Sequence, residues 1–405
     1  MYSVNNKGFF TKATSYLKTL CSVKPNRRTG SPGNWEATDF FASTIAPFGY
    51  KIDATPFECP DHINKGSIMT AGQDNFEVFT SPYSLGCDVQ ADIVVVSTTE
   101  ELESVDCKGK ILLMYGEVCS EQLMPKNFVF YNPEHHQKII TLLESNEPAA
   151  IITATARNPE QVGALYPFPL IVDGDFDIPS VYCRDTVGAS LLAHEGNTAR
   201  LQIKAKRVPS KARNVIAKLN SSAPRKVVLT AHIDAYEDSP GASDNASGTV
   251  VLLLLAEMLA NYQGEVGIEI AAFNGEDHYS AGGQMDYLAR YREEFPTILV
   301  AINLDDVGYK EGKTAYSFYG YFDKLERRVV EIFKDYDGLC PGGSWFSGDH
   351  MIFVQNQIPA MAFTAEKMPE LMRTVTHTEK DTPSLVDSRK LVEIATCLDR
   401  LVRSL

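Results

Sequence analysis

The sequence predicts an α/β sandwich that carries a second, β-rich module. Three observations lead there. From residue 212 onward, continuous apolar strand candidates alternate with helix-period segments, the pattern of a sheet buried on both faces. Between about 63 and 206 the texture changes to short β-type runs punctuated by turn residues. The chain has 405 residues, too many for one ordinary core, so two domains or one large domain with an insertion are expected.

The elements follow in order. Residues 8–21 and 34–48 read as helices, the first with Phe9, Phe10, Ala13, Tyr16, Leu17 and Leu20 at helical spacing. The loop between them, "PNRRTGSPGN", is rich in turn formers, and "YKIDATPF" reads as a strand. In the second module "DIVVVS", "KILLMYG", "AAIITAT" and "IPSVYC" are strand candidates, with one helix at 134–145. Beyond it the strands are "RNVIAKL", "KVVLTAHI", "GIEIAAF", "ILVAINL" and "AMAFTA". Helices are expected over 246–262, 280–293, 323–336, 348–356 and 387–404. The division is therefore 1–62 as the first part of the main domain, 63–206 as an insert, and 207–405 as the rest of the main domain. No internal repeat or low-complexity tract interrupts it.

Composition bounds the function. At 44% hydrophobic and 22% charged, the chain is ordinary for a globular protein. A formal net charge of −14 argues against nucleic acid and anionic membrane as partners. It also suits a site that holds cations among carboxylates. The N-terminal residues lack the apolar core of a signal peptide. No apolar run approaches the ~18 residues of a membrane span. The eight cysteines are scattered, with no CxxC pair, as expected of reduced thiols in a cytoplasmic protein.

Polar residues gather where the strands end, and in open α/β sheets the active site lies beyond the carboxyl ends of the strands. "KVVLTA" runs into His232 and Asp234, and the next loop reaches Asp244 just before a helix. "GIEIAAF" is followed by Glu276 and Asp277, "ILVAINL" by Asp305 and Asp306, and "AMAFTA" by a loop with His377 and Asp381. Taken alone, each has a bland explanation: Asp244 as a helix cap, the others as solvated turns. Together they form a nitrogen and oxygen ligand set without cysteine, which suits zinc or a related divalent ion. One histidine and two or three carboxylates per ion suggest two ions sharing a bridging carboxylate, an arrangement found in hydrolases.

These segments carry a resemblance. "TAHIDAYEDSPGASDNASG", "FNGEDHYSAGG", "AINLDDVG", "GDHMIFVQNQIPAMAF" and "THTEKDT" resemble the motif series of the co-catalytic zinc aminopeptidases, peptidase family M28. "RRTGSPGNWEATDF" is similar to that family's N-terminal segment. "VDCKGKILLMYG", "AAIITAT" and "IPSVYCRDTVGASLL" look like pieces of an inserted protease-associated domain. The resemblance implies a three-layer αβα sandwich with a mixed, mostly parallel sheet. It implies two divalent ions, expected to be zinc, with Asp244 bridging them. His232 and Asp305 would complete one site, and Asp277 and His377 the other. Glu276 would be the general base, and Asp234 would hold the His232 imidazole. A cis peptide would follow Asp244. The substrate would be a peptide with a free N-terminus. The insert would serve as a lid, a substrate filter, a homodimer surface or a plain spacer.

Three departures stand out. Asp277 occupies a position where many relatives carry Glu, "HYSAGG" replaces a more usual "GLxGS"-like continuation, and Thr376 stands where some relatives have a carbonyl-polarising tyrosine. Outside the set, His278 is expected to point elsewhere, Asp349 and His350 to line or brace the pocket, and Asp381 to support its loop. Other readings of the same fold are a one-zinc glutaminyl cyclase, a dipeptidase or carboxypeptidase, and a non-catalytic binding module. The filled ligand and base positions disfavour the first and last of these.

Overall fold

In the computed structural model, residues 6–128, 130–157, 163–320 and 323–405 are described. Two sheets of eight strands organise them. The strands in chain order are β1 (Lys51–Asp53), β2 (Phe57–Ala71), β3 (Asp74–Phe76), β4 (Phe79–Thr80), β5 (Cys87–Val96), β6 (Ile111–Met114), β7 (Ala150–Thr155) and β8 (Ser180–Arg184). They continue with β9 (Thr198–Ala212), β10 (Val215–Leu219), β11 (Lys226–His232), β12 (Gly267–Phe273), β13 (Ile298–Leu304), β14 (Thr314–Tyr319), β15 (Leu339–Pro341) and β16 (Ala360–Ala365).

The first sheet has the order β1-β10-β12-β11-β13-β16-β14-β15. Its centre, β12-β11-β13-β16, is parallel, while β1, β10 and β14 join antiparallel neighbours. Alternate residues of one strand enter different cores. Val227, Leu229 and Ala231 pack toward helices 6–21, 247–258 and 388–403, whereas Val228 packs with Tyr287 and Phe353 on the opposite face. Both faces being covered explains the continuous apolar strands and gives three layers. Helix 247–258 is buried over most of its length, so it lacks a polar stripe. It lies close to the sheet because Gly248 has no side chain: a Cβ there would fall 2.4 Å from the Leu304 carbonyl oxygen.

The second sheet has the order β3-β2-β9-β5-β6-β7-β8-β4 and spans Phe57 to Ala212. Its β5-β6-β7-β8 core is parallel. Two apolar clusters cover it, one holding Leu112, Leu143 and Phe168, the other Leu113, Val181 and Leu201. Helix 134–146 stands where the pattern predicts one. The helix expected over 348–356 is reduced to Met351–Val354, and the one expected over 280–293 runs over Gly283–Tyr291. The eight cysteines are all free, and among the described residues no helix is long and apolar enough to cross a membrane.

Candidate active site

The four central parallel strands deliver the site at their carboxyl ends, as open α/β sheets do. His232 is the last residue of β11, and Asp305 follows β13, its backbone N–H donating to the Phe363 carbonyl at 3.0 Å. Glu276 and Asp277 follow β12, and His377 lies on the loop after β16. Asp244 stands in a non-helical turn (φ −111°, ψ 91°) just before helix 247–258, with a cis peptide to Asn245. Asn245 fixes that turn: its side chain donates to the Leu304 carbonyl at 2.7 Å and accepts from Gly248 N–H at 2.9 Å.

The geometry centres on Asp244. One of its oxygens lies 3.0 Å from His232 Nε2 and the other 3.2 Å from His377 Nε2. His232 Nε2 is also 3.3 Å from Asp305 Oδ1, and His377 Nε2 is 3.0 Å from Asp277 Oδ1. Glu276 stands 4.0 Å from His232 Nε2, with the Tyr279 hydroxyl 3.5 Å from its other oxygen. All five expected ligand positions and the expected base are thus brought together.

The charge balance is lopsided. Asp244, Glu276, Asp277 and Asp305 face only two imidazoles, with Asp306 beside them. Buried anions need compensating charge. Burial opposes charging the imidazoles, yet Asp305, Asp234 and Asp244 raise His232 well above the usual histidine range. Asp277 and Asp244 do the same to His377. Burial, together with Asp305 and Asp277, pushes the Glu276 carboxyl well above the carboxylate range against the pull of His232. Asp277 Oδ2 is buried without a hydrogen-bond partner. A carboxylate-rich, two-histidine cluster with an unsatisfied oxygen fits divalent cations, and His232, Asp244 and Asp277 offer ligand atoms within 4.8 Å of one another.

A second layer holds these groups. Asp234 lies 3.6 Å from His232 Nδ1 and accepts a 2.9 Å hydrogen bond from Thr29. Asp381 takes the backbone N–H groups of Ser243 and Asp244 at 2.8 and 3.0 Å, so it braces the Asp244 turn. Arg27, almost fully buried, donates to the carbonyls of Leu20, Ile233, Pro240 and Gly241 and so shapes the loop between His232 and Asp244. Asp349 accepts from Gln284 at 2.8 Å, and burial pushes its carboxyl up to about 7.

Several contributors escape sequence reasoning. His278, expected outside the ligand set, is buried beside Asp234, 3.6 Å from its Oδ2. Tyr236 stacks on His377 with centroids 4.7 Å apart and planes 15° apart. Asp306 is buried in the left-handed region (φ 53°) with Oδ1 unpartnered. Left-handed non-glycine residues such as Asp306 and His377 (φ 63°) concentrate at functional sites. The cleft above the cluster encloses about 390 Å³, and its walls include Met124, Phe128, Phe130 and Tyr131 of the second module facing Trp345 and Phe346. The signal was the aromatic run "NFVFY", which nothing local distinguishes from a packing segment.

The sequence model of peptidase family M28 matches residues 214–402. That stretch is similar to an M28 peptidase domain. The likeness of fold extends beyond the matched residues. An aminopeptidase from Aneurinibacillus sp. strain AM-1 superposes with a TM-score of 0.75 over 97% of this chain and 93% of that one, at 22% identity. A zinc aminopeptidase from Bacillus subtilis gives 0.73 over 98% and 94%, at 20% identity. By sequence, aminopeptidase YwaD of Bacillus subtilis is 24% identical over 404 residues, covering 94% of this chain and 81% of that protein. A probable lipoprotein aminopeptidase, LpqL, of Mycobacterium tuberculosis is also 24% identical, over 65% of this chain but only about half (51%) of its own length.

Proposed function

We propose that this chain is a two-metal aminopeptidase that removes the N-terminal residue of peptides, with zinc as the expected metal. The observation that carries this reading is the placement of Asp244 between His232 and His377, one oxygen toward each. Asp244 would bridge the ions, with His232 and Asp305 completing one set and Asp277 and His377 the other. Bound ions would supply Lewis acidity toward the attacking water and the scissile carbonyl.

The chain's own groups then divide the work. Glu276 stands at the edge of the ligand cluster, 4.0 Å from His232 Nε2, and its carboxylate is left for proton transfer. It takes the proton of the attacking water as the carbon–oxygen bond forms and delivers it to the leaving amine as the carbon–nitrogen bond breaks. Asp234 acts through His232, fixing the ring's tautomer and tilt from the Nδ1 side. The acidic groups that line the cleft, Asp244, Glu276, Asp277 and Asp305, favour a substrate with a free ammonium group over one with a free carboxylate. Met124, Phe128, Phe130 and Trp345 would receive apolar side chains.

The test is a panel of aminoacyl anilides, assayed alongside metal content. Glu276→Gln is expected to keep its bound metal and lose roughly 10²–10⁴-fold in kcat. A variant that retains both metal and full activity would overturn the assignment of the base. Cyclisation of N-terminal glutamine without anilide hydrolysis would overturn the reaction class.

A further inference from the structure

We propose that the second module positions one half of the metal centre, the Asp277–His377 pair, leaving His232 and Asp305 to the first sheet. This rests on the two-ion reading above.

The two halves are held differently. His232 ends β11 and is paired in register with Phe273 of β12, while Asp305 continues β13 with its N–H bonded to β16. Ladder hydrogen bonds fix both. Asp277 and His377 lie on loops beyond the ends of β12 and β16, where no ladder constrains them.

The second module bears on both of those loops. On the Asp277 side, Gly174 N–H donates to Ser280 Oγ at 2.9 Å. The Phe128 ring stacks on Tyr279 with centroids 4.3 Å apart and planes 27° apart. On the His377 side, Ala164 N–H donates to the Thr376 carbonyl at 3.1 Å, and Arg157 Nη1 donates to the Arg373 carbonyl at 2.6 Å. Gly163 is pressed against the same residue. Its φ is +63°, and a Cβ there would lie 3.2 Å from both Cβ and the carbonyl oxygen of Thr376. His377 itself has φ 63°, a backbone state that persists in a non-glycine residue only where surroundings enforce it. The module's contacts with Thr376 are such an enforcement. Metal affinity depends on groups that orient the ligands as well as on the ligands, and losing such a group typically weakens binding 10–100-fold.

The experiment is zinc titration of the metal-free full-length chain against a competing chelator. The wild type is expected to bind in two steps, one removed by His377→Ala and the other by His232→Ala. Gly163→Ala and Phe128→Ala should weaken the His377-dependent step about tenfold or more and leave the His232-dependent step unchanged. Arg157→Ala should do the same to a lesser degree. Arg157 is exposed, so this variant keeps the test open if Gly163→Ala fails to fold. Two wild-type steps that the variants leave alone, or shift together, would overturn the positioning role. A single wild-type step would instead overturn the two-ion reading on which it rests.

Discussion

Asp234 shows how much of the site depends on residues that would touch neither substrate nor metal. It is fully buried, and burial alone would raise its carboxyl, yet its pairing with His232 and His278 holds it well below the usual carboxylate range. It is therefore an anion poised behind an imidazole. Asp234→Asn keeps the shape and removes the charge. The expected outcome is a 10–100-fold loss of zinc affinity at the His232 step, read by chelator competition. Unchanged affinity would mean that the backbone alone orients His232. At this scale the residues that the structure gathers at the cluster were legible because polar side chains interrupt apolar runs where strands stop. Tyr236 and His278 were not, since their roles come from rings brought face to face by loops distant in sequence.

At the scale of elements, the N-terminal segment does more than its turn-forming composition suggests. Arg27 satisfies four carbonyls around the loop that leads from His232 to Asp244. Arg27→Met would take the donor from the Ile233 and Pro240 carbonyls, at about 1–3 kcal/mol each, while those of Leu20 and Gly241 still accept from Val23 and Ala246 N–H. Urea denaturation should show a loss of roughly 3 kcal/mol or more, and Arg27→Lys should recover only part of it, because one ammonium cannot reach all four acceptors.

The neighbouring Arg28 joins Asp61 of β2 to Glu237, which also contacts His62 at 3.1 Å. Burial would raise the Glu237 carboxyl, but the His62 hydrogen bond and the Arg28 charge bring it down to about 2. Its folded value lies below the unfolded one of about 4.3. The stabilisation is thus complete above that pH and is lost as pH falls toward 2. Glu237→Gln should flatten the fall in melting temperature between these limits. A melting profile with the wild-type slope in that window would show that the pairing adds nothing to stability.

The long strands β2 and β9 were not read as elements from the sequence. β2 contains Pro60 and Gly66, which argue against a regular central strand, and the β2–β9 register shifts between Asn64 and Ser67.

For the whole molecule, the excess of buried carboxylates predicts that stability depends on bound cations. Chelation should lower the melting temperature together with activity, and zinc should restore both. Metal at 1,000 times its dissociation constant adds about 4 kcal/mol to the folded state. A melting temperature indifferent to chelator would show that the acidic cluster is stable without cations. The three-layer architecture was legible because parallel strands buried on both faces have a recognisable texture. The order of the strands within each sheet was not, because it depends on long-range pairing rather than local pattern.

The chain's path between the sheets has a topological consequence. The polypeptide leaves the first sheet along β2 and returns along β9, and the two strands pair from Phe57 opposite Ala212 onward. Departure and return are therefore neighbours, close enough for a tight hairpin to join. A segment whose ends meet can be gained or lost by recombination without breaking the order of its host's strands. The second module is a detachable cassette in this topological sense. Splicing residue 56 to residue 213 through a short turn would leave every strand of the first sheet in the sequence.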